Sequence, residues 1–75
     1  MKVYYDDSVD ALYLQLGDDQ PEGVVEIAEG VNLDTTAANK IVGIEILEAS
    51  RKMDLRSVLT CSLEFDRELI ERASA

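Results

Sequence analysis

Carboxylates are the abundant reactive groups of this 75-residue chain, which carries sixteen acids against seven bases, one cysteine and no histidine. Such groups transfer protons, ligate hard cations or attract cationic surfaces. Asp6-Asp7-Ser8-Val9-Asp10 invites a cation reading, because hard cations take several oxygens at once. Its spacing lacks the sixth-position glycine and later glutamate of a calcium loop. The competing reading has Asp6 or Asp10 accepting backbone N–H bonds in a turn, a common use of aspartate. Asp18, Asp19 and Glu22 read as the solvated face of a loop. Glu45 stands alone inside the most apolar stretch, Ile41 to Leu47. A buried carboxylate is costly unless paired. Glu45 is therefore expected to pair with Lys2, Arg51 or Lys52, or to accept a hydrogen bond from Tyr13. An ion pair that holds the fold together explains Glu45 better than a catalytic acid does.

Catalysis finds little else to use. The commonest general base is missing, so Ser8, Ser50, Ser57, Thr60, Ser62 and Cys61 have no histidine to activate them. A carboxylate pair can hydrolyse glycosides, yet spacing along the chain singles out no pair. Cys61 is expected to be packed rather than reactive, and one thiol builds neither an internal disulfide nor a zinc site. No glycine-rich phosphate cradle is present. The chain is therefore not expected to be an enzyme or to need a cofactor. The net charge of −9 disfavours phosphate backbones and anionic membranes and permits a basic protein partner. Solubility explains the same charge equally well. Tyr5 and Tyr13, in adjacent strands, are expected to pair across the sheet, since stacking on nucleic-acid bases would want basic neighbours.

The elements that must position these groups follow from periodicity. Lys2 to Tyr5 is β-branched and aromatic, and Asp6-Asp7-Ser8 breaks it. From Ala11 to Leu16, Leu12, Leu14 and Leu16 alternate with Ala11, Tyr13 and Gln15. A loop from Gly17 to Gly23 leads to a strand at 24–29, Gly30 permits a bend, and 31–35 resumes the period of two. Thr36 to Asn39 is the next turn, with Asn39 suited to a left-handed backbone. The last strand, 40–47, is apolar on both faces and belongs in the centre of a sheet. One face should gather Val3, Tyr5, Leu12, Leu14, Leu16, Val25, Ile27, Leu33, Val42, Ile44 and Ile46. Residues 48–52 suit a helical turn, Leu55, Val58 and Leu59 have helical spacing, and Ser62 suits the cap of a helix over 63–72. The predicted fold is α+β: a small antiparallel β-meander of four to five strands with a C-terminal helical segment. Residues 1–52 form the core and 53–75 a helical extension of the same domain.

A chain of this size buries only about 60% of its unfolded surface. With no disulfide or zinc site to help, a homodimer is expected. The single cysteine, an N-terminus without a signal peptide and the lack of a membrane-length apolar run lead to a cytoplasmic expectation.

Tyr5-Asp6, then Asp10 to Leu14 with Leu16, then Gly30-Val31 with Leu33-Asp34, then Ile41 to Leu47 and Ala49-Ser50 together resemble a bacterial family known as "domain of unknown function 2283". The resemblance spans residues 1–52; Asn39 stands where that family usually has a glycine. It implies a small β-rich fold and little chemistry. Some family members look like neighbours of small toxin-like proteins, which implies an antitoxin-like partner role. Two functions follow as expectations. One is a protein-interaction module for a small basic protein. The other is a metal- or ligand-binding domain using Asp6, Asp7, Asp10 and Glu45.

Overall fold

The computed structural model describes residues 1–60. Five strands, β1 (Lys2–Asp6), β2 (Ala11–Gln15), β3 (Gly23–Ala28), β4 (Val31–Thr35) and β5 (Ile41–Leu47), are followed by two short helices, α1 (Ala49–Lys52) and α2 (Leu55–Leu59). Cys61 and the helix expected over 63–72 with its Ser62 cap lie outside the described residues. The α+β class and the antiparallel sheet are as expected. The strand order is β1-β2-β5-β4-β3, with every neighbouring pair antiparallel. β3, β4 and β5 form a meander, and β5 then takes the place beside the β1–β2 hairpin. That makes β5 the central strand, which its apolar residues on both faces require.

Turn chemistry explains the connections. Asp6 Oδ1 accepts from the Ser8 backbone N–H at 3.0 Å and from the Ser8 hydroxyl at 2.6 Å, closing an Asx turn after β1. Gly30 joins β3 to β4 at φ 70°, a left-handed conformation that glycine adopts without a Cβ penalty. Asn39 stands at φ 63°, and its N–H reaches the Thr36 carbonyl at 2.9 Å. Asparagine thus performs the left-handed turn expected of it.

Directly opposed residues share a face of the sheet. The register sets Val3 and Ile44 against Leu14, and Tyr5 and Ile46 against Leu12. On the other side of β5, Val31 opposes Ile46 and Leu33 opposes Ile44. Ala49, Met53, Leu55 and Val58 from the helical segment close over this face, so Leu12 and Ala49 are fully buried. Burying Leu12 is worth roughly 1.5–3 kcal/mol. The helices are short and owe their stability to this packing. α2 has a cap of its own: Asp54 accepts from the Arg56 and Ser57 N–H groups at 3.1 and 3.4 Å.

The expected inner face is correct apart from its margins. β2 ends at Gln15, and Leu16 is 42% exposed. A bulge between Glu26 and Ala28 takes Ile27 out of the alternation, leaving it 57% exposed. The expected Tyr5–Tyr13 pair does not form. Tyr5 opposes Leu12 on the helix-covered face, while Tyr4 opposes Tyr13 on the other. Apolar residues on both faces of β5 imply cover on both sides, yet Ile41 and Leu47 of that second face remain exposed.

Candidate functional site

The face of the sheet away from the core is built by register. One row crosses all five strands as Tyr4, Tyr13, Glu45, Asn32 and Glu26. The adjoining row is Lys2, Gln15, Gly43, Asp34 and Val24. Among the described residues, these two rows bring two tyrosines and three carboxylates together with a single base, Lys2. Alternation along each strand puts these residues together, because their neighbours at i±1 are committed to the core.

Tyr13 is the centre of this surface. Its ring lies over Gly43 of β5, and its hydroxyl donates to Asp34 Oδ2 on β4 at 2.7 Å. A Cβ at position 43 would overlap the Tyr13 hydroxyl and ring. The strand-interior glycine is therefore the groove that lets an aromatic side chain bridge two strands. The hydrogen bond to Asp34 first, burial second, and the nearby charges of Asp34 and Glu45 last raise the Tyr13 pKa above the ordinary tyrosine value. The phenol stays a donor at neutral pH.

Glu45 has a different partner from those expected. It is half-buried, and its Oε1 accepts from Asn32 Nδ2 at 3.3 Å. Arg51 pairs with Glu48 at 3.1 Å, and Lys52 donates to the Leu47 carbonyl. Tyr13 is turned to Asp34. The physical reason is placement: opposed pairing puts Asn32 directly beside Glu45, whereas Arg51 and Lys52 belong to α1, beyond the end of β5.

Asp10 works on the helix-covered side. It adopts φ 52°. Its carboxylate accepts from the Tyr5 hydroxyl at 2.7 Å, the Ser50 hydroxyl at 2.7 Å and the Ser50 N–H at 3.1 Å, while its carbonyl accepts the Ala49 N–H at 3.0 Å. Glu48, the residue preceding α1, gives the helix no side-chain cap. Asp10 supplies the cap across forty positions of sequence. The Ser50 hydroxyl first, then Tyr5, lower the Asp10 pKa, with burial opposing them. The same bond to Asp10 is the main cause that raises the Tyr5 pKa. The Ser8 hydroxyl and N–H lower the Asp6 pKa.

The four singled-out residues thus fall into two groups. Asp6 and Asp10 hold a turn and a helix start; Tyr13 and Glu45 lie on the open face. Among the described residues no group of three or more acids or cysteines could hold a metal ion. An open hollow of about 490 Å³ lies beside this face, lined by Glu26, Glu29, Gly30, Asn32, Leu47, Glu48, Arg51 and Lys52. Its two cations are already engaged, as above. Asn32 had no signal of its own in the sequence, and Asp34 stood out only as part of the Leu33-Asp34 pair in the family resemblance. A glycine in the middle of the most apolar strand was the available clue to a close approach there.

Among the described residues, no helix is long and apolar enough to cross a membrane. No curated protein and no solved structure matches this chain. The family described as "Protein of unknown function (DUF2283)" matches residues 2–50, from the start of β1 to Ser50. With both Asp10 and the Ser50 it caps inside the matched span, the chain belongs to the DUF2283 family.

Proposed function

We propose that this domain is a protein-interaction module, an antitoxin-like acidic partner that docks a small basic protein on its open sheet face. The observation that carries the reading is the composition of the two rows on that face. Among the described residues, Glu26, Asp34 and Glu45 stand there with Tyr4 and Tyr13 and one base, Lys2, while Arg51 and Lys52 at the adjoining hollow are engaged by Glu48 and the Leu47 carbonyl. Arginine side chains stack on exposed tyrosine rings and pair with carboxylates, and Tyr4 is half exposed. The net charge of −9 steers a cationic partner toward the domain. The strand-backed surface holds these groups at fixed spacing, which favours recognition over turnover. A reducing compartment, the cytoplasm, is the setting this reading takes, on the strength of a single cysteine.

The test is capture from a lysate of the source organism on the immobilised full chain, in parallel with a Tyr4→Ala/Glu45→Gln variant. A basic protein recovered in stoichiometric amount, released by salt and lost from the variant, is the expected result. Recovery of no such protein, or of one indifferent to both salt and the substitutions, overturns the reading.

A further inference from the structure

We infer that β3 is a self-association edge, pairing antiparallel with β3 of a second copy about a two-fold axis at Val25. The two edges of the sheet differ in kind. β1 carries Lys2 and Asp6 at its ends, and charged residues discourage edge pairing. β3 has one charge, Glu26, and all six of its residues are exposed. Val24 is 68% and Val25 50% exposed. α1 and α2 close over the β1–β2–β5 side of the core face and stop short of β3. An exposed apolar edge of this type is a ready template for pairing with another chain.

A second copy fits this edge for reasons of register and charge. With the axis at Val25, Val25 opposes its own symmetry mate and Val24 opposes the partner's Glu26 on either side. No like charges meet. An axis at Glu26 would set two carboxylates face to face, which is unfavourable. The axis at Val25 also keeps residues of one face opposite residues of the same face, so two five-stranded sheets join as a single sheet. The bulge between Glu26 and Ala28 ends the regular ladder and bounds the pairing on that side. Glu26 also belongs to the open face, but Val24 and Val25 along this edge give a basic partner nothing to pair with. A 75-residue chain gains most from the added burial. The inference is independent of the docking surface on the open face, and salt separates the two. Each copy carries −9, so raising ionic strength screens their repulsion and tightens the dimer, while it loosens a basic partner.

Sedimentation velocity of the full chain over micromolar to high-micromolar concentration tests the inference, with Val25→Lys beside the wild type. The expected result is a monomer–dimer equilibrium that tightens with salt and weakens roughly tenfold or more in Val25→Lys, a change of about 1.4 kcal/mol. The circular dichroism spectrum should be unchanged. Register is tested with Val25→Cys and Val24→Cys in a Cys61→Ser background. Opposed antiparallel residues lie about 4.5–5.5 Å apart between Cα atoms, within disulfide reach, so under mild oxidation Val25→Cys should cross-link to itself and Val24→Cys should not. A monomer throughout the concentration range, or a dimer that neither notices Val25→Lys nor cross-links at position 25, overturns the inference. The cross-link decides the matter even if Val25→Lys fails to fold.

Discussion

Tyr13 of β2 donates its hydroxyl to Asp34 of β4 at 2.7 Å, spanning the intervening strand over the bare backbone of Gly43. One bond thereby ties the β1–β2 hairpin to the β3–β4–β5 meander through a side chain as well as through the ladders. It also fixes the orientation of the ring at the centre of the open face.

Gly43→Ala should therefore destabilise the domain by about 1–3 kcal/mol, because the new methyl collides with the Tyr13 ring and displaces it. Tyr13→Phe should cost about 0.5–1.5 kcal/mol, the net worth of one hydrogen bond. The two positions touch, so their effects should not add: Gly43→Ala should cost less in a Tyr13→Ala background than in the wild type. Urea denaturation of the four proteins of this double-mutant cycle measures it.

Asp10 should act as a pH-dependent staple between the first turn and α1. Its folded pKa is lowered, so its contribution is fully present above the ordinary aspartate value of 3.8 and is lost as pH falls through the lower folded value. Asp10→Asn tolerates the same left-handed backbone but lacks the charge. Its melting temperature should be below wild type at neutral pH, and the gap should close as pH falls through the lowered folded value of Asp10. A gap that persists unchanged at low pH would show that charge is irrelevant there. Ser50→Ala removes the group that lowers the Asp10 pKa most and should flatten the same acid limb.

At the alkaline end the sign is reversed. The phenols of Tyr5 and Tyr13 are held above 10.0 in the folded protein, so the stability they add is present below that value and is lost as pH rises through their folded values. Absorbance titration at the tyrosinate band should show one fewer late-titrating phenol in Tyr13→Phe than in the wild type.

Gly30→Ala should cost about 1–2 kcal/mol, since alanine would be forced into a left-handed conformation at φ 70° with its methyl against Lys52 Nζ. Asp54→Ala should cost about 1 kcal/mol through loss of the α2 cap. Thermal melts of each single variant check both, and neither substitution alters Val25 or the open-face residues named above. An Asp54→Ala melt that matches wild type would mean that α2 frays without consequence to the sheet.

What the sequence settled by itself was local. Alternation and turn residues located every strand to within a residue or so, because side-chain period and backbone φ preference depend on near neighbours. Asn39, Gly30 and the 55–59 helical spacing were legible for that reason, and so was most of the inner face. What tertiary structure decided was which distant groups meet. The order β1-β2-β5-β4-β3, the Asp10–Ser50 cap across forty positions, the choice of Asn32 over a cation for Glu45, and the Tyr13–Asp34 bridge all depend on strand pairing. That pairing is set by the burial of the whole apolar set at once, and spacing along a chain does not encode which remote strand satisfies it.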